Sequence, residues 1–155
     1  MQLFDDRERT RMEPKRPGED DYSFYDSCAL RGYDDYRARV NGWLAEMPEA
    51  AQKELISRFR KNESLEYQRA LAELTTHVAL KRQGYTIEVH PESQDTDRKP
   101  DFLVKDAAGQ KAYVEVTTFG PALELIGKQK RAADVYNGID KAKVSAGRRL
   151  GLDIL

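Results

Sequence analysis

With 155 residues the chain is long enough to form one domain with a substantial core. Charged residues make up 34% of it, yet the formal net charge is only −1, so no global field draws it to nucleic acid or to an anionic membrane, and any polyanion site must be a local patch. The single cysteine, Cys28, excludes an internal disulfide framework and a cysteine-based zinc site, and no apolar run approaches the ~20 residues needed to span a bilayer.

Residues 1–22 are rich in Asp, Glu, Arg and Pro and lack apolar periodicity, which predicts an extended, mobile arm. They also lack the apolar centre of a signal peptide, so a cytoplasmic protein is the expectation. Tyr22, Phe24 and Tyr25 form an aromatic cluster suited to pinning the arm to the body. A helix is predicted over 27–47, with Leu30, Tyr33, Val40, Trp43, Leu44 and Met47 as its apolar stripe, although Gly32 and Gly42 each weaken it by about 1 kcal/mol relative to Ala. Pro48 suits the first turn of a second helix, in which Ala51, Leu55, Ile56 and Phe59 recur at helical spacing.

Ser64 is a good N-cap for a strong helix running to Gln83, with Tyr67, Leu71, Leu74 and Val78 as its core face and Gly84 as its stop. Residues 85–90 alternate with period two and read as a strand, followed by a polar loop over 91–99. His77 and His90 lack the spacing of a zinc motif and read as structural or surface residues; Cys28 reads as a small core residue.

Two further β-rich runs, Lys99-Pro100-Asp101-Phe102-Leu103-Val104 and Ala112-Tyr113-Val114-Glu115-Val116-Thr117, flank the turn signal Asp106-Ala107-Ala108-Gly109. A hairpin centred near Ala108 sets Asp101 directly opposite Glu115, on one face, with Cβ atoms about 4.5–5.5 Å apart. Carboxylates that close repel unless a proton or cation sits between them, and a hard divalent cation such as Mg²⁺ is the usual reason to pair them. Phe102, Val104, Val114 and Val116 line one face of the hairpin, and Leu103 and Tyr113 make the other largely apolar as well, so Tyr113 is expected in the core of a sheet covered on both sides. A second helical region is predicted over 122–146 and a short final strand over 149–155.

This order of elements and acids resembles the PD-(D/E)xK, or restriction-endonuclease-like, nuclease superfamily. Pro100-Asp101 matches its Pro-Asp signature, Glu115-Val116-Thr117 stands where Glu-x-Lys is found, and Glu73 matches the acid of its first core helix. The resemblance implies an α/β fold: a central mixed sheet of about four strands flanked by helices. That core would occupy residues 64–155, and residues 1–63 would be an N-terminal arm and helical extension.

It further implies that Asp101 and Glu115 hold Mg²⁺, with Mn²⁺ as the alternative, aided by Glu73 and the carbonyl of Val116. The motif lysine is replaced by Thr117, which can orient a water but carries no charge, so Lys141 or its neighbour Lys143 would have to supply the cation. The basic surface of Lys128, Lys130, Arg131, Lys143 and Arg148 would meet phosphates.

The function implied is metal-dependent hydrolysis of phosphodiester bonds in DNA, with RNA as the lesser choice; cutting both strands of a duplex would call for a homodimer. Thr117 supports an alternative, a catalytically weak or inactive module of the same fold that binds nucleic acid or a protein. A third expectation is an interaction protein whose N-terminal helices dock a partner.

Overall fold

The computed structural model describes residues 1–92, 100–118 and 134. Residues 1–13 and 20–119 form one compact unit, and 14–19 with 120–155 a second. In the second unit the described stretch is a turn in which Glu19 N–H donates to Arg16 O at 3.1 Å and Arg16 N–H to Glu19 Oε2 at 2.9 Å.

The first unit is mixed α/β, with four helices followed by a three-stranded antiparallel sheet among the described residues. Helix α1 (Asp21–Ser27) starts where Asp20 accepts the Ser23 N–H at 2.8 Å, an N-cap that satisfies one of the free amides of the first turn. It stops at Cys28, which is fully buried. Helix α2 (Tyr33–Ala45) begins after Gly32, whose φ of +92° lies in the left-handed region.

A right-handed helix does not run through that conformation, so the helix expected over 27–47 is confined to α2, and residues 28–32 form a corner between it and α1. The corner is tied by Arg37, whose Nη1 donates to the carbonyls of Tyr25 (2.7 Å) and Cys28 (2.8 Å) while its other nitrogen pairs with Asp34. Helices α3 (Glu49–Phe59) and α4 (Ser64–Arg82) fall where the periodicity puts them. Ser64 is the first residue of α4 rather than its cap, and its hydroxyl accepts the Asp21 N–H at 3.2 Å.

The arm is docked over its first residues. Leu3 and Phe4 are buried in the core, and Asn41 on α2 accepts both their amides (2.9 and 3.1 Å) and returns a bond to Phe4 O at 2.7 Å. Two apolar side chains in an otherwise polar run suffice to dock it, because each buried one contributes roughly 1.5–3 kcal/mol. The core cluster is continuous across residue 63: Leu3, Val40, Leu44, Leu55 and Phe59 pack with Tyr67, Leu74, Phe102 and Val104.

Strands β1 (Thr86–Val89), β2 (Phe102–Lys105) and β3 (Lys111–Val114) pair in the order β1-β2-β3. Phe102 pairs with Val114 and Lys105 with Lys111, the register read from the turn, which Gly109 closes with φ +84°. Phe102 and Val104 are buried toward the helices, whereas Tyr113, expected in the core, is 60% exposed. Apart from Asp134, the helix predicted over 122–146 and the strand over 149–155 lie outside the described residues, and with them Lys128, Lys130, Arg131, Lys141, Lys143 and Arg148. No helix of the described residues is long and apolar enough to cross a membrane.

Candidate metal centre

The face of α4 that turns inward carries two polar residues among its apolar ones. Tyr67, Ala70, Leu74 and Val78 are buried as the 3.6-residue period demands, and so are Glu73 and His77. The Glu73 side chain is only 4% exposed. Its Oε2 accepts from Arg58 Nη1 of α3 at 2.5 Å; its Oε1 has no hydrogen-bond partner.

His90 closes the other side. It follows β1, and continuing the pairing of Val89 with Phe102 by one residue sets His90 opposite Asp101; the His90 N–H donates to the Asp101 carbonyl at 2.9 Å. His90 has φ +48°, a left-handed conformation that costs on the order of 1–3 kcal/mol for a residue with a Cβ. The chain leaves the β1 pleat there, and the ring lies between two carboxylates. Nε2 stands 3.3 Å from Glu73 Oε1 and Nδ1 3.2 Å from Glu54 Oε2 of α3. Both contacts have the distance of an ion pair and neither is a hydrogen bond, and Glu73 Oε1 stays unsatisfied.

Asp101 occupies a bend just before β2, where the strand alternation has not begun. Its Oδ2 accepts the Val116 N–H at 2.6 Å. Glu73, His90 and Asp101 each offer a ligand atom within 4.8 Å of the others. A pocket of about 180 Å³ opens beside them, lined by Arg58, Arg69, Glu73, Asp101, Val116, Thr117 and Thr118. The Thr118 hydroxyl is buried and has no hydrogen-bond partner.

Charge follows from the same list of side chains. Glu54, Glu73 and Asp101 set three carboxylates against the Arg58 guanidinium, which lies 3.9 Å from Glu54 as well as against Glu73. A neutral imidazole therefore leaves two negative charges uncompensated, the complement of a divalent cation. Arg69 is occupied by Glu66 at 2.7 Å, and that hydrogen bond holds the Glu66 carboxyl below its ordinary range.

Of the residues singled out in the sequence, Asp101 and Glu73 come together, and Val116 and Thr117 line the same pocket. The Val116 amide holds Asp101. Glu115 is exposed and joins neither the ligand group nor the pocket lining. The hairpin register is the expected one, and both Asp101 and Glu115 lie one residue beyond the paired strands.

His90, Glu54, Arg58 and Thr118 were not anticipated. One signal was present for His90: it ends an alternating strand in the segment just before Pro100-Asp101. His77 is buried against Phe102, with ring centroids 6.0 Å apart, and takes no part in the group. Its pKa is lowered, first by burial and then by nearby Lys81. No family model, curated protein or solved structure matches the chain.

Proposed function

We propose that this chain is a metal-dependent phosphodiesterase acting on nucleic acid, with the cation held by Glu73, Asp101 and His90. One observation carries the reading: a carboxylate oxygen of Glu73, buried and without a hydrogen-bond partner, faces an imidazole nitrogen at 3.3 Å beside a second carboxylate. A buried ionised oxygen left alone is costly, and a cation shared with His90 and Asp101 removes that cost. Two carboxylates and one imidazole suit Mn²⁺ better than Mg²⁺, because Mg²⁺ prefers oxygen alone.

When bound, the cation would supply Lewis acidity toward a phosphate and its attacking water. The chain's own groups have separate tasks. Arg58 fixes Glu73 through Oε2 and leaves Oε1 toward the ligand space. Arg58 and Arg69 line the pocket, but each is paired with a carboxylate, so neither brings the free positive charge that Thr117 lacks. Thr117 and Thr118 contribute hydroxyls that can orient a water or a phosphate oxygen. The helix and three antiparallel strands follow the order of the first part of a restriction-endonuclease-like core, which supports DNA as the substrate class. The replaced lysine favours a second reading, a binding module without turnover.

The test is Mn²⁺ and Mg²⁺ titration of the full chain, followed by incubation with plasmid and single-stranded DNA. Cleavage that needs the metal and disappears in Asp101→Ala and Glu73→Gln is the expected result. Metal and DNA binding without cleavage selects the binding module, and no metal binding by the wild type sinks both. Glu115→Ala, an exposed position, is expected to weaken metal binding less than Asp101→Ala.

A further inference from the structure

We infer that Arg69 is the residue that grips a phosphate of the substrate, and that Glu66 holds its guanidinium in place until the substrate arrives. The inference rests on the nucleic-acid reading above and adds a substrate-binding residue to it. Arg69 lines the pocket with Glu73 and Asp101 and stands four residues before Glu73 on α4. Residues at that spacing are helix neighbours with Cβ atoms about 5–6 Å apart, a separation that an arginine side chain can span. A phosphate drawn to a cation at Glu73 therefore comes within its reach.

The two arginines of the pocket differ in how firmly they are held. The Arg58 side chain is 22% exposed and pairs with the buried Glu73. Its departure would strand a buried carboxylate, so it stays. The Arg69 side chain is 49% exposed and pairs with Glu66 at 2.7 Å, three residues away on the same helix. Exposed pairs of this kind are weak and screened by salt. A phosphodiester presents two oxygens to the same fork of N–H groups, so the exchange loses no charge-assisted hydrogen bond.

Glu66 stays compensated when Arg69 leaves it. The Nζ of Lys61, an exposed residue, lies 4.0 Å from Glu66 Oε2, while Arg69 uses Oε1. The Glu66 carboxyl is held below its ordinary range first by the Arg69 hydrogen bond; burial opposes the shift, and the charges of Arg69, Lys61 and Arg58 add to it. One carboxylate thus feels three cations, of which Arg58 is committed to Glu73. The other two exceed Glu66 by one positive charge, and the surplus lies beside a pocket whose ligand group is acidic.

The experiment measures binding of a labelled single-stranded oligonucleotide to the full chain in Mn²⁺, across a range of salt concentrations. Phosphorothioate linkages keep the charge and slow hydrolysis. Arg69→Ala is expected to bind about tenfold more weakly, with a salt slope smaller by about 0.7 for one lost phosphate contact. Arg69→Lys should fall between the two, because it keeps the charge and loses the fork. Glu66→Gln removes the competing carboxylate and is expected to bind about two- to fivefold more tightly. Neither residue belongs to the ligand group, so Mn²⁺ affinity without DNA should change less than about threefold in all three variants.

An Arg69→Ala chain that binds DNA like the wild type, with the same salt slope, overturns the inference and leaves the metal centre standing. So does a Glu66→Gln chain that loses affinity as Arg69→Ala does, since the pair would then be a structural one. If Arg69→Ala does not fold, Arg69→Lys and Glu66→Gln decide. A wild type that binds Mn²⁺ but no DNA overturns the nucleic-acid reading together with this inference, and one that binds no Mn²⁺ overturns the metal centre as well, so the failures are distinguishable.

Discussion

Tyr67 and Glu73 stand less than two turns apart on α4 and are equally buried, at 2% and 3% exposure, yet their surroundings are opposite. The Tyr67 hydroxyl meets that of Tyr36 at 2.6 Å, and its ring packs edge-on against Phe59 at 4.9 Å and beside Tyr25 at 5.4 Å. Burial pushes Tyr36 up to about 12 and Tyr67 up as well, so both remain neutral and share one hydrogen bond. Glu73 faces a strained histidine and keeps one oxygen unsatisfied. Burial alone therefore does not separate structural from functional polar groups. What separates them is whether the chain itself completes their bonding, since an incomplete buried group is tolerated where a ligand completes it.

That contrast breaks most sharply at the structural end. Tyr67→Ala is expected to cost about 3–5 kcal/mol, read as a lower urea midpoint, because it opens a cavity amid three rings and leaves the Tyr36 hydroxyl without its partner. Glu73→Gln is expected to behave in the opposite way. Metal-free stability should change by less than about 1 kcal/mol, because the amide oxygen can still accept from Arg58 and a buried charge has gone. What it should lose is the stabilisation by Mn²⁺, about 2.7 kcal/mol for the wild type at one hundred times Kd, measured as the metal-dependent shift in Tm. A Glu73→Gln chain as unstable as Tyr67→Ala would make Glu73 a structural residue and erase the contrast.

The helices α3 and α4, the three strands and the β2–β3 register were legible because each rests on local signals: 3.6-residue or two-residue periodicity, Gly84 as a stop, and a short turn that leaves one way to pair. The β1–β2 register was not legible. Its strands are joined by a long polar connection that fixes no centre, so nothing local sets His90 opposite Asp101. The docking of the arm was not legible, because composition averages over Leu3 and Phe4, the two residues that are buried in the core. Asp101 groups with Glu73 and His90 while Glu115 is exposed, and the hairpin alternation that paired the two extends one residue beyond each strand. Glu54 and Arg58 come from α3 and reach the site only through tertiary packing of α3 on α4, which no spacing within the chain encodes.

His77 gives the smallest and most specific distinction, because it shares the inner face of α4 with both residues and is buried like them. Its Nδ1 has no hydrogen-bond partner, and burial lowers its pKa, with Lys81 adding to the shift and Glu46 opposing it. The unfolded chain, with a histidine near 6.5, then takes up a proton before the folded one does. Stability is therefore intact above about pH 6.5 and declines as the pH falls through the folded value, with a slope from this one group of at most about 1.4 kcal/mol per pH unit. His77→Leu removes the titration and keeps an apolar side chain against Phe102, so its stability should fall less steeply than the wild type's between neutral and acid pH. Urea midpoints of the two metal-free proteins across that range measure the difference. Parallel curves would mean that His77 is solvated in solution, and that the inner face of α4 is less closed around Glu73 than its burial indicates.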